Sequence, residues 1–539
     1  MTNLQKAFEQ IDHFAQLWRI NLNIPGLAIA VTNREKLLTL FTYGCADLAT
    51  QTAVAPDTRF EIGSLGKPFT SIALLQLIDE GKLDPHAPVR EYLPWFRVQS
   101  EYAPITVHHL LTHTAGIVRG TDLAPHGLYE SWALRETHTS APPGEHFWYS
   151  NIGYKTLGFL LEKLTGQPLA EVIRSRVLSP LRMTQSEAAI TFETRKKTAT
   201  GYCGFYDDRP EHPSHAISPA AWGEYGTGDG CLVSTAADMA IYLRMLLNRG
   251  REDGRHLLSE ESFSLLTKPW VWTGGDYYGY GLATYTEDGR TYIGHGGGNI
   301  GYRSGIVVDM EAGLGVVFLL NRMGETNPVV AAAQYALMVV RAEHCREEIP
   351  PLPAATESSA IANASDYAGT YHAGKRKLRL TAETGRLFLE YDGEVVALER
   401  RANDSFYIGH SELDLFLLDF GREKEGQVVE AFHGPDWYVN DFYSGPQDFD
   451  FPKQWKAYLG HYRTRNPELS NFRVVLRKGT LSLIMPWGNS EPLIPIGENL
   501  FRIGEDSRSP ETLRFAALLD GRALRADYSG CPYYRTFTS

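Results

Sequence analysis

Cysteine is scarce: five in 539 residues, an odd number. Cys45, Cys203, Cys231, Cys345 and Cys531 are scattered, with no pair at metal-ligand spacing and no disulfide framework, so reduced, mostly buried thiols are expected. Positive charge is also short. Acidic residues outnumber basic ones and the formal net charge is −12, which argues against nucleic acid and anionic membrane as main partners. No segment approaches the apolar length of a membrane span. The opening residues Met1 to Gln10 lack a basic start, an apolar core and a small-residue cleavage site, and they read instead as an amphipathic helix. These absences predict a soluble, acidic, cytoplasmic protein with no nucleic-acid and no membrane partner. No metal and no cofactor is expected either, because the histidines at 108, 109 and 113 have no acidic or cysteine ligand nearby.

What is present is an ordinary globular composition, 43% apolar and 22% charged, over a length that exceeds one hydrophobic core. The organising stretch is Phe60-Glu61-Ile62-Gly63-Ser64-Leu65-Gly66-Lys67-Pro68. A strand-like lead-in meets Gly63, which permits a sharp turn, and the chain then reads as a helix from Ser64, stopped by Gly81. Pro68 falls in the first turn, where backbone N–H groups have no intrahelical partner. Ser64 therefore sits at or beside a helix N-terminus, with Lys67 one turn along the same face. A serine hydroxyl becomes a useful nucleophile only when a neighbour takes its proton, and a desolvated lysine is a candidate for that role. Ser-x-x-Lys alone is a weak signal, equally served by a capping serine and a solvated lysine.

Two further stretches follow in order. Tyr149-Ser150-Asn151 precedes a helix-like run, and His295-Gly296-Gly297-Gly298 precedes strand-like segments at 306–308 and 316–320. With Leu110 to Gly116 and Gly228 to Met239 as supporting phrases, the set resembles the serine β-lactamase and penicillin-binding-protein superfamily, specifically its class C-like branch of esterases and D-aminopeptidases. The resemblance covers about residues 20–345. It implies an α/β catalytic domain, an antiparallel sheet flanked by helices plus an all-helical lobe. With the chemistry of these groups it implies Ser64 as nucleophile and Lys67 and Tyr149 as a coupled general base. Asn151, His295 and Gly297 would bind substrate. The backbone N–H groups of Ser64 and Gly298 would form the oxyanion hole. The third motif departs from the Lys-Thr-Gly of β-lactamases. A histidine is cationic only when protonated, so strong carboxylate recognition is not expected. His113 and Asp229 are expected to be structural.

Beyond a Pro-rich linker the tail reads as short alternating strands and turns, and it repeats. Tyr367-Ala368-Gly369-Thr370-Tyr371 matches Tyr458-Leu459-Gly460-His461-Tyr462, Gly385 to Leu389 matches Gly479 to Leu483, and Ser405 to Gly409 matches Leu500 to Gly504. The expected organisation is a catalytic domain at 1–348, a linker at 349–360 and two small antiparallel, lipocalin-like β-barrels at 361–450 and 451–539. This order resembles bacterial D-aminopeptidases. The barrels are expected to be filled with side chains. The alternative is that the turns Gly434 to Asn440 or Pro486 to Asn489 limit access to the catalytic cleft. The functional expectation is an aminopeptidase or amidase acting on a small peptide, amide or ester substrate. Carboxylesterase, β-lactamase-like hydrolase and slow-turnover β-lactam-binding protein are the alternatives, and a homodimer is compatible with each.

Overall fold

The computed structural model describes residues 4–120, 127–287, 289–324, 327–353, 358–423 and 426–538. Residues 121–126 and part of the expected linker (354–357) lie outside the described residues. The chain forms two compact units, Met1–Phe205 with Pro213–Leu352, and Tyr206–His212 with Pro353–Ser539.

The first unit is built on a nine-stranded antiparallel sheet. Its centre is made by Arg290–Asn299, Tyr302–Asp309, Leu314–Leu320, Gly26–Asn33 and Leu37–Asp47, side by side in that order. The strand Gly26–Asn33 pairs on both sides, Ile29 opposite Phe318 and Phe41. Period-2 alternation splits its side chains between two cores. Leu27, Ile29 and Val31 join the cluster that includes Ile11 and Phe14 of the helix Gln5–Asn21 and Ala333 and Leu337 of the helix Asn327–Cys345. Ala28 and Ala30 face the other cluster, with Leu243 of the helix Ala236–Leu247 and Phe69 and Leu74 of the helix Lys67–Asp79. Both faces are covered, which is why these strands read as continuous apolar runs. The helical lobe packs on the second of these cores, chiefly through the helix Asn151–Thr165, which Gly166 ends in the left-handed conformation at φ 70°. None of the helices among the described residues is long and apolar enough to cross a membrane.

The cysteines correct one expectation. All five are free, but only Cys231 is buried; Cys345 is exposed and the others are half-buried. Cys345 ends its helix on the solvent side, Cys45, Cys203 and Cys531 lie in strands, and Cys231 lies just before the strand Val233–Ser234.

The second unit holds two closed eight-stranded antiparallel barrels, Gly369 to Val439 and Gly460 to Arg535. Both are filled. Leu387, Leu389, Phe406 and Phe420 pack inside the first; Leu481, Leu483, Phe501 and Phe515 pack inside the second. The sequence repeat reappears as a structural device. Tyr371 donates its hydroxyl proton to the Tyr367 carbonyl at 3.0 Å, and Tyr462 does the same to Tyr458 at 2.8 Å. Each thereby satisfies the polar tip of a fully buried side chain. Residues 206–212 lie among these barrels. Arg209 pairs with Asp414 at 2.9 Å, the His212 ring stacks on Tyr407 at 4.6 Å, and Asn471 donates to the Asp207 carbonyl at 2.7 Å.

Leu389 and Leu483 occupy equivalent, fully buried positions. Leu389→Ala and Leu483→Ala should each cost about 2–5 kcal/mol, with similar values for the two, measured by denaturant unfolding of the barrel unit's aromatic fluorescence.

Candidate active site

The strand Phe60–Glu61 pairs with Val233–Ser234, and the Ile62 N–H donates to the Leu232 carbonyl at 3.0 Å. Gly63 then turns the chain with φ 52°, in the left-handed region. Ser64 does not open an α-helix. It lies in a single 3₁₀ turn, Gly63–Gly66, and the α-helix begins at Lys67. Pro68 explains the difference: it has no N–H to give the Ser64 carbonyl, which instead accepts from Lys67 in the tighter pattern.

Lys67 is fully buried. Its ammonium donates to Ser64 Oγ at 3.0 Å, to Asn151 Oδ1 at 2.8 Å and to the Asp229 carbonyl at 2.7 Å. Three donors meet three acceptors, as a buried charge requires. Asn151 is placed by the helix it opens. Ser150 caps that helix, its Oγ accepting from the Gly153 N–H at 3.1 Å, and the Asn151 N–H donates to the Arg119 carbonyl at 2.8 Å. The Asp229 carbonyl is placed by close approach of glycines. A Cβ at Gly230 would lie 2.7 Å from the Gly63 backbone, and one at Gly228 would lie 2.4 Å from the Tyr154 carbonyl.

Tyr149 is half-buried, with the Lys67 ammonium 4.9 Å from its ring centroid and the Arg119 guanidinium at 5.8 Å. His113 packs against it, ring centroids 4.3 Å apart and planes tilted by 32°. His113 has a left-handed backbone, φ 57°, and braces this segment twice: Nδ1 accepts the Ser150 N–H at 3.0 Å and its carbonyl accepts the Trp148 N–H at 2.7 Å. Accepting at Nδ1 puts the proton on Nε2, which is buried and has no hydrogen-bond partner among the described residues. Burial, and then Lys67, holds the His113 pKa well below the usual range.

His295 lies on the strand Arg290–Asn299, opposite Ile306. Its Nδ1 is 2.6 Å from the Gly296 carbonyl and its Nε2 is 2.8 Å from the Tyr278 hydroxyl. A carbonyl only accepts, so Nδ1 carries the proton and Tyr278 donates to Nε2. Burial and the Lys67 charge push the His295 pKa down to about 4. The glycines after it are required by contact: a Cβ at Gly297 would lie 2.1 Å from the Ile62 carbonyl, and a Cβ at Gly63 would lie 2.4 Å from the Gly298 carbonyl. The backbone bearing Ser64 and the backbone bearing Gly298 are thus in direct contact. Asn299 continues the contact, its amide donating to Glu61 Oε2 at 2.5 Å, while Ser304 Oγ donates to the Ile62 carbonyl at 2.7 Å.

The structure therefore brings together Ser64, Lys67, Tyr149, Asn151, His295, Gly297 and Gly298. Sequence reasoning missed the Asp229 carbonyl, Tyr278, Glu61 and Asn299, and did not assign the His113 ring to Tyr149. Glu61 stands inside the Phe60–Pro68 stretch and Asn299 directly follows the run His295 to Gly298, so both were within reach of the sequence; Tyr278 lies outside every motif. Among the described residues no group of three His, Cys, Asp or Glu is placed to hold a metal. His108 Nδ1 faces the Tyr280 hydroxyl at 2.7 Å, and His109 Nδ1 accepts the Thr106 N–H at 3.1 Å.

The sequence profile of the Beta-lactamase family matches residues 4–340. The chain belongs to the Beta-lactamase family. It is on that footing a serine hydrolase of the β-lactamase and penicillin-binding-protein-like superfamily. It is 31% identical over 324 residues to penicillin-binding protein 4 of Amycolatopsis lactamdurans, covering 56% of this chain and 82% of that protein. It is 25% identical over 329 residues to protein flp of Staphylococcus aureus, covering 59% and 64%. A solved structure of the octameric penicillin-binding protein homologue from Pyrococcus abyssi aligns with a TM-score of 0.57 at 24% identity, over 80% of this chain and all of that one. The shared fold extends past the residues matched by the family profile.

Gly63→Ala should lower turnover at least ~10²-fold, the scale of losing an oxyanion donor, because a Cβ there collides with Gly298. Steady-state kinetics on a folded variant checks this.

Proposed function

We propose that the chain cleaves small amide or ester substrates through an acyl-enzyme on Ser64, with aminopeptidase or amidase activity of the D-aminopeptidase type as the main reading. The arrangement around Lys67 Nζ carries it. Ser64 Oγ attacks the carbonyl carbon and its proton passes to the Tyr149–Lys67 pair. The ammonium hydrogens of Lys67 are committed to Ser64, Asn151 and the Asp229 carbonyl, so in this proposal Lys67 acts as a fixed cation and Tyr149, in the phenolate form that a neighbouring cation favours, accepts the proton and becomes the phenol. The tetrahedral oxyanion rests between the N–H groups of Ser64 and Gly298. Collapse expels the amine or alcohol, which takes the proton back, and a water activated by Tyr149 releases the acyl group.

The neutral His295 sets the substrate class. Both its nitrogens are engaged and its pKa lies near 4, so above pH 5 the third motif offers no positive charge. That favours uncharged amides and esters over substrates held by a carboxylate. One observation favours the β-lactam alternative: the Arg119 guanidinium near the Tyr149 ring would meet a carboxylate there. The Pyrococcus abyssi homologue is octameric, which supports self-association of this chain as part of the proposal.

Hydrolysis of D-Ala and L-Ala p-nitroanilides, a short-chain p-nitrophenyl ester and a chromogenic cephalosporin should be compared in wild type and Ser64→Ala. The expected result is D-anilide preference in the wild type, with Ser64→Ala losing at least ~10³-fold in turnover. Ester turnover alone selects the esterase, and stoichiometric labelling without turnover selects the binding protein. His295→Lys should raise kcat/KM for a carboxylate-bearing substrate over its amide by roughly tenfold, the worth of one charged hydrogen bond of about 1.5 kcal/mol. No limb from His295 should appear between about pH 5.5 and 8 in the wild-type profile, because burial and Lys67 hold its pKa down to about 4.

A further inference from the structure

Glu61 is an acid in a place where acids are rarely free to ionise. It is 6% exposed and stands three residues before Ser64, on the strand that delivers the nucleophile turn. The side chain facing it is Asn299, the residue after Gly298. Asn299 cannot be turned the other way: its Oδ1 accepts the Ile300 N–H at 3.0 Å, which leaves Nδ2 to donate to Glu61 Oε2 at 2.5 Å. This bond ties the two backbones whose N–H groups form the proposed oxyanion hole, alongside the Ser304 tie to the Ile62 carbonyl. The separation of those N–H groups decides whether both reach one oxygen, and positioning to within about half an ångström matters for such sites.

We propose that Glu61 is a positioning residue, clasping the strand that carries Gly298 to the turn that carries Ser64 through its hydrogen bond with Asn299. The proposal rests on the Ser64–Gly298 reading of the oxyanion hole. Burial raises the Glu61 pKa to about 8, with Arg195 opposing. Arg195 and Tyr302 are the charged or titratable groups that act on it or feel it. At neutral pH the carboxyl is therefore mostly uncharged, and it accepts from Asn299 without placing negative charge beside a developing oxyanion. Above pH 8 it ionises, and that charge opposes the transition state.

The test uses the full chain and the best substrate of the panel, with its thiono counterpart as a probe of the hole. Glu61→Ala and Asn299→Ala should each lower kcat by about tenfold or more, with KM within about twofold, and the double variant should be no worse than either. Glu61→Gln keeps an acceptor for Asn299 and cannot ionise. It should restore most of the kcat lost in Glu61→Ala and remove the alkaline decline near pH 8. Loss of kcat in Glu61→Ala without rescue by Glu61→Gln, an alkaline limb unchanged in Glu61→Gln, or an effect on KM alone overturns the clasp. A wild type that does not discriminate oxo from thiono substrate overturns the oxyanion reading itself, and the clasp with it. Asn299→Ala keeps the question open to measurement where a Glu61 variant fails to fold.

Discussion

A buried ammonium governs the architecture around Ser64. Lys67 is out of contact with water, and an uncompensated charge there would cost several kcal/mol. Its compensation is drawn from three separate parts of the chain: the turn at Ser64, the helix that starts at Asn151, and the glycine-rich loop at Asp229. The helical lobe and the sheet unit thus meet at one nitrogen atom. Each acceptor is in turn held by something specific. Ser150 caps the helix that bears Asn151, and Gly228 and Gly230 let their loop approach other backbone closely. The requirement to satisfy one charge explains why three sequence phrases far apart in the chain must be arranged together.

Around that cation the site is aromatic, with Lys67, His113 and His295 buried and Ser64 and Tyr149 partly exposed. His113 and His295 are both kept neutral by burial and by Lys67, and each commits a ring nitrogen to a backbone group. The imidazoles serve as oriented dipoles and packing surfaces around Tyr149 rather than as charges. This differs from a site with a lysine in the third motif, where a second permanent charge would repel Lys67. Here His295 adds no second permanent charge beside Lys67.

Much of this was legible from residues. The Ser64, Tyr149 and His295 phrases, which the structure brings together as a candidate site, were legible because each couples a reactive side chain to a local structure signal, a glycine turn, a helix start and a glycine-rich strand end. The barrels were legible from the Tyr367 and Tyr458 repeats, since an internal repeat of aromatic and glycine positions survives changes in loop length. The rest was hidden for physical reasons. The Asp229 contribution is a backbone carbonyl, which side-chain identity does not encode. Tyr278 reaches His295 across a sheet, and such pairing depends on register rather than on spacing. The 3₁₀ turn at Ser64 departs from the expected α-helix because one missing N–H, at Pro68, outweighs the helical pattern of the following residues. The exposed Cys345 shows the limit of reasoning from average burial.

Residues 206–212 belong, by their contacts, with the barrels, although the chain on either side of them belongs with the catalytic unit. The strands Tyr202–Gly204 and Ile217–Pro219 pair with each other, so this heptapeptide is carried on the loop of a hairpin. A division between units is therefore not a single point along the sequence. Truncation near residue 353 would strip Asp207, Arg209 and His212 of Arg463, Asp414 and Tyr407, leaving charged and aromatic groups stranded on the remaining piece. The catalytic half is consequently not a self-contained module in the engineering sense: anyone grafting or shortening this enzyme must redesign the hairpin loop as well as the linker.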